Sequence, residues 1–98
     1  MKSDVFMKTA NLKTKKGLIE IELILQNNKI THLTITGDFF FYPEEALEEV
    51  EKKLVGLPAE PDQLKKQLEL IYQEKNIITP GITIDDWIAV ILKAINKK

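Results

Sequence analysis

The clearest pattern along the chain is a change of period near its middle. From Leu18 to Gln26, Ile19, Ile21, Leu23 and Leu25 alternate with Glu20 and Glu22, which predicts a strand with one apolar face. Ile30 to Thr36 repeats the alternation and returns alongside, with Asn27-Asn28 as a hairpin turn signal. Phase then predicts the register. A three-residue loop, Asn27-Asn28-Lys29, pairs Leu23 with Leu33, Ile21 with Ile35, Glu22 with Thr34 and Glu20 with Thr36. A two-residue loop would set Glu22 against Leu33 and mix the faces, so the three-residue loop is expected. The other face carries Glu20, Glu22, Ile24, His32, Thr34 and Thr36, so helices are expected on one side only. Residues 4–13 are rich in β-formers but poorly phased. They predict a first strand at a sheet edge, joined to the second by the turn Thr14-Lys15-Lys16-Gly17.

Beyond residue 43 the spacing turns helical. Pro43 to Leu54 predicts a helix with Ala46, Leu47, Val50 and Leu54 buried and its acids at early and outer positions, where they suit the helix dipole. Gly56 stops it, and Leu57-Pro58-Ala59-Glu60-Pro61 reads as a rigid connector. A second helix is expected from Asp62 to about Lys75, with Pro61 at its start and Leu64, Leu68, Ile71 and Tyr72 inward. After a loop over Asn76 to Ile82, Thr83 caps a third helix to about Asn96, with Asp85 and Asp86 in its first turn. Its apolar stripe of Ile84, Trp87, Ile88, Ile91, Leu92 and Ile95 is wider than a surface helix needs, which fits a central core helix or, alternatively, an oligomer contact. The predicted order is β-β-β-α-α-α, a three-stranded antiparallel sheet with helices on one face, an α+β fold.

The two halves meet at Thr36-Gly37-Asp38-Phe39-Phe40-Phe41-Tyr42-Pro43. Gly37 suits backbone angles awkward for other residues, Asp38 reads as a cap, and Pro43 has its φ preset for a first helical position. Four consecutive aromatic side chains cannot all point inward. Phe39 and Phe41 read as core, and the rest of the cluster as a docking surface.

Composition narrows the function classes. Ninety-eight residues make one domain, expected to span 1–98 and to bury roughly 60–65% of its unfolded surface. With no membrane-length apolar run, no signal-peptide pattern and no cysteine, the chain reads as cytoplasmic, without disulfides or thiol chemistry. All fourteen basic residues are lysine, which argues against nucleic acid, because guanine forks and phosphate clamps favour arginine. The net charge of −1 is split: residues 1–37 carry six lysines against three acids, and residues 38–98 carry eight against twelve. The halves read as solvated faces, or the basic half as facing an anionic partner. Catalytic sets are missing. His32 is the lone histidine, the chain has one serine, the glycines stand singly, and the adjacent acid pairs diverge by about 100° on a helix, too far for an acid/base dyad.

A resemblance adds what composition lacks. Lys16-Gly17-Leu18-Ile19-Glu20-Ile21-Glu22-Leu23, then Ile30 to Ile35, then Gly37-Asp38-Phe39-Phe40, resembles the C-terminal accessory domain of lipoate–protein ligases. The likeness continues through a helix closing on Leu54-Val55-Gly56, a second helix, and Gly81-Ile82-Thr83 leading into the last; it covers about residues 13–95. The catalytic domain's glycine-rich and lysine motifs are absent, so the chain looks like the stand-alone small subunit of a two-piece, archaeal-type ligase. The Met1 start and lysine tail favour that over an excised domain.

The resemblance implies a non-catalytic partner of a large subunit, in a complex that uses lipoate, ATP and magnesium to make lipoyl-AMP and then modifies a lysine of lipoyl domains. It implies no cofactor for this chain alone, and neither nucleic acid nor membrane as a partner. The motif residues that map are Lys16, Gly17, Gly37, Asp38, Phe39 and Phe40, and on physical grounds they are expected at a closure over the catalytic pocket, with Lys13, Lys15 and Lys16 either near the nucleotide phosphates or simply solvated. Phe41-Tyr42 departs from the small residue often found after the motif. The family's fold is similar to that of iron–sulfur assembly proteins of the NifU/SufE type, but their sulfur chemistry needs cysteines that this chain lacks. The competing expectation is a self-associating or protein-binding scaffold module with no link to lipoate.

Overall fold

Three strands and three helices follow one another in chain order in the computed structural model, which describes residues 7–96. They are β1 (Lys8–Thr14), β2 (Gly17–Gln26), β3 (Lys29–Asp38), α1 (Ala46–Leu54), α2 (Pro61–Glu74) and α3 (Ile84–Ile95). The sheet is antiparallel in the order β1-β2-β3, so β1 is at an edge as expected. The predicted start of that strand, Asp4 to Phe6, lies outside the described residues, as do Lys97 and Lys98.

The expected register holds: Leu23 faces Leu33, Ile21 faces Ile35, Glu22 faces Thr34 and Glu20 faces Thr36. The expected loop does not. Asn27 and Asn28 have φ of 53° and 64° and form a two-residue turn closed by Gln26 and Lys29. The extra residue sits in the strand instead: Ile24 pairs with His32 and Leu25 with Ile30, leaving Thr31 as a bulge. A turn with both residues left-handed matches the twist of paired strands, and asparagine tolerates that conformation. Absorbing one residue as a bulge then restores the phase. This is why Ile30 and Leu33, three positions apart, are both buried in the core.

The core lies between the sheet and the helices. Ile19, Ile21, Leu23, Leu33 and Ile35 face Val50 and Leu54 of α1, Leu64, Leu68 and Ile71 of α2, and Trp87, Val90, Ile91 and Ala94 of α3. At roughly 1.5–3 kcal/mol for each large apolar side chain removed from water, this cluster dominates the stability of the fold. α3 packs across β1 and β2 on one side and against α2 on the other, which makes it the central helix. Its buried stripe is therefore centred on Trp87, Val90, Ile91 and Ala94, with Ile84, Leu92 and Ile95 at the margins. The other sheet face is open, with Glu20, Glu22, His32 and Thr36 exposed.

α1 starts later than expected. Tyr42 is still extended, exchanging two backbone hydrogen bonds with Ile78, and the Tyr42–Pro43 peptide is cis. A turn over Pro43 to Glu45 follows, with the Ala46 amide donating to the Pro43 carbonyl at 3.0 Å, and the helix proper begins at Ala46. The outer edge of β3 is covered twice. The connector after α1 pairs with it, the Ile30 amide donating to the Leu57 carbonyl at 3.0 Å, and the Glu51 carboxylate accepts from the Ile35 amide at 2.7 Å. Covered edges resist pairing with foreign strands.

Candidate functional site

Three segments converge at one end of the sheet: the β1–β2 turn, the corner after β3, and the loop before α3. The motif glycines explain how closely they meet. A side chain on Gly17 would overlap the Asp38 carbonyl, and one on Gly37, whose φ is +136°, would overlap the Leu18 carbonyl. Only glycine allows both contacts. Gly81, with φ of +81°, sits against the aliphatic stem of Lys16 and joins the third segment to the first.

The corner is extended, so its aromatics alternate. Phe39 and Phe41 turn inward around Trp87: the Phe39 and Trp87 ring centres are 5.5 Å apart at 82°, those of Phe41 and Trp87 6.3 Å apart at 65°. Such edge-to-face pairs add about 0.5–1.5 kcal/mol each beyond burial. Phe40 and Tyr42 turn outward and stack on each other, 6.2 Å apart at 10°. They are 58% and 48% exposed, and Ile78, tied to Tyr42, is 61% exposed. Beside them runs a cleft of about 500 Å³ lined by Thr36, Gly37, Phe39, Tyr42, Glu44 and Leu47. The inward half of the expectation is met, with Phe39 and Phe41 packed on the core, while Phe40 and Tyr42 are exposed to solvent.

A hydrogen-bonded chain holds the third segment in place. The Trp87 indole N–H donates to the Tyr72 hydroxyl at 2.7 Å, Tyr72 lies 2.9 Å from Thr79 Oγ1, and Thr79 donates to the Ile82 carbonyl at 2.9 Å. Because the Thr79 proton goes to Ile82, the proton between Tyr72 and Thr79 belongs to Tyr72. Burial pushes the Tyr72 hydroxyl above its usual 10.0, with the Asp86 charge adding to the rise and the bonds to Thr79 and Trp87 opposing it. Sequence reasoning placed Tyr72 inward but missed its partners, and it missed Ile78. The signal for Ile78 was the pair Ile77-Ile78, since neighbours in an extended segment point to opposite faces and only one of them meets the core here.

The structure gathers Lys15, Lys16, Gly17, Gly37, Asp38, Phe39 and Phe40 at this end. Asp38 does not cap a helix. It is the last residue of β3, opposite Leu18 and exposed, while the residue preceding α1 is Glu45. Lys13 and Lys15 line a cleft of about 570 Å³ with Thr83 and Asp86. The amide of Asp86 at the α3 start is taken by the Thr83 hydroxyl at 3.1 Å, and the Asp86 carboxylate returns to the Thr83 amide at 2.9 Å. His32 lies apart from this end, exposed on the open sheet face, its Nε2 3.1 Å from the Thr34 hydroxyl. Among the described residues no helix is long and apolar enough to cross a membrane.

A glycine-locked sheet end, an aromatic corner and three following helices define this α+β domain. The chain belongs to the family of the bacterial lipoate protein ligase C-terminus, whose model matches residues 3–91. It is similar to lipoate-protein ligase A subunit 2 of Thermoplasma acidophilum, with 36% identity over 84 residues, 84% of each chain. Its structure is also similar, at a TM-score of 0.80 and 33% identity over 89% of this chain and 96% of the other, to a chain from an archaeal lipoylation system of that organism. That system comprises a bipartite lipoate protein ligase and its E2 lipoyl domain.

Proposed function

We propose that this chain is the non-catalytic accessory subunit of a two-piece lipoate–protein ligase, acting with a catalytic large subunit. Membership of the lipoate protein ligase C-terminus family carries the reading, together with a relative described as lipoate-protein ligase A subunit 2. In the reaction we assign to the complex, the lipoate carboxylate attacks the α-phosphorus of ATP, pyrophosphate leaves, and lipoyl-AMP forms. A lysine amine of a lipoyl domain, in an oxoacid dehydrogenase or glycine-cleavage protein, then takes the lipoyl group and releases AMP. Lipoate, ATP and magnesium belong to the catalytic subunit.

This chain supplies closure. Its sheet end, with Gly17, Gly37, Asp38, Phe39 and Phe40, seats beside the catalytic pocket, excludes water and holds the activation geometry. The lysines of the β1–β2 turn, Lys15 and Lys16 with Lys13, place positive charge toward the nucleotide phosphates. Lipoylation of an acceptor domain, read as a mass increase, tests the reading. From lipoate and ATP it requires this chain; from preformed lipoyl-AMP it proceeds with the catalytic subunit alone. Equal yields from lipoate and ATP with and without the chain would refute the assignment.

A further inference from the structure

We infer that the outward face of the corner is the seat for the catalytic subunit, and that oppositely charged rims on either side of it set the docking orientation. The inference rests on the accessory-subunit reading and adds the chemistry of the complementary surface. The centre is apolar and already ordered: Phe40 stacks on Tyr42, and Tyr42 exchanges backbone hydrogen bonds of 3.0 and 2.8 Å with Ile78. Ordered aromatic anchors lose little freedom on binding and are the side chains on which interfaces concentrate their energy.

The two flanks differ in sign. On one side the cleft beside Phe40 reaches Glu44, the first acid of a segment, residues 44–51, that holds five carboxylates and no lysine. Glu51 turns inward to Ile35, and Glu44 and Glu45 remain exposed at the start of α1. On the other side the loop carrying Ile78 runs on to Gly81, which abuts Lys16; there Lys13, Lys15 and Lys16 outnumber Asp38, opposite Leu18 beside the turn, and Asp86, whose carboxylate is bound back to the Thr83 amide. The complementary surface is therefore an apolar recess with Lys or Arg on the side that meets the α1 start and Asp or Glu on the side that meets the turn. A partner face of one sign would be drawn to one rim and repelled by the other.

Association and dissociation rates with the cognate catalytic subunit, measured at low and high salt, test this. The variants are Phe40→Ala/Ile78→Ser, Glu44→Lys/Glu45→Lys and Lys15→Glu/Lys16→Glu, each checked for an unchanged melting temperature. Phe40→Asp is a second variant of the apolar centre. The apolar variants raise Kd at least roughly 30-fold, through faster dissociation. Both charge reversals slow association about tenfold at low salt, and the difference shrinks at high salt. One reversal slowing and the other speeding association would mean a partner face of one sign and would overturn the opposed-rim assignment. Wild-type binding with no loss in the apolar variants would overturn the seat while leaving the accessory role standing. A dimer of this chain abolished by those variants would give the face to a second copy and overturn the proposal. No binding by the wild type would remove the accessory reading itself.

Discussion

Thr79→Val isolates one hydroxyl that holds the loop before α3 against the body of the domain. Valine and threonine have nearly the same shape, so no cavity opens, and only the hydrogen bonds are lost. Thr79 is 7% exposed, donates to the Ile82 carbonyl at 2.9 Å and accepts from Tyr72 across 2.9 Å. Without it the carbonyl and the phenol proton both lose their partner. A buried polar group left unpaired costs about 1–3 kcal/mol. Tyr72 is only part-buried and recovers some of its loss from water, so the sum is about 2–3 kcal/mol. In a domain of this size each 1 kcal/mol moves the melting temperature by about 4–8 °C, giving a fall of roughly 10–20 °C. Urea denaturation should show a lower midpoint with an unchanged slope. Tyr72→Phe keeps the Thr79–Ile82 bond and strands the Trp87 N–H, and the double variant should cost about 1 kcal/mol less than the sum of the singles, since both remove the Tyr72–Thr79 bond. A Thr79→Val loss below about 0.5 kcal/mol would refute the assignment of this chain as a structural tie.

Three further outcomes follow from the same geometry. Glu51→Ala should destabilise by about 1.5–3 kcal/mol because the Ile35 amide loses a charged acceptor, and Glu51→Gln should recover about half of that in thermal melts. Gly37→Ala combines a φ of +136° with overlap on the Leu18 carbonyl; it should cost more than about 2 kcal/mol and weaken binding to the catalytic subunit, whereas Gly56→Ala, where a side chain would meet open space, should pay only for its φ of +95°. The raised Tyr72 hydroxyl has a definite sign: the unfolded chain loses that proton near pH 10.0 while the folded chain retains it. Stability conferred by the neutral phenol is therefore complete below pH 10.0 and declines as pH rises toward the folded-state value, and denaturation midpoints across that range should flatten in Tyr72→Phe.

Element type was legible wherever one face of an element meets the core. Alternation through Ile19, Ile21, Leu23, Leu33 and Ile35 identified the central pair of strands and their register, and helical spacing from Leu64 to Ile71 identified α2. What phase could not reveal was where the odd residue goes. A third loop residue and a bulge at Thr31 give the same pairing at Leu23 and Leu33, and only the left-handed preference of Asn27-Asn28 separates them. The late start of α1 was hidden for a related reason: Tyr42 is held extended by Ile78, 36 positions along the chain, and no local propensity records that. At the site, the in-and-out division of Phe39 to Tyr42 was legible from steric necessity. The contacts that give Gly17, Gly37 and Gly81 their meaning are between segments distant in sequence, so their partners Asp38, Leu18 and Lys16 emerge only from the fold.

The most direct test of the accessory role is lipoate- and ATP-dependent release of pyrophosphate by the catalytic subunit with and without this chain. Release is expected in the mixture, with little from either subunit alone, and a loss on replacing Phe40 with Asp that higher concentrations of the variant restore. Equal release by the catalytic subunit without this chain would contradict that role.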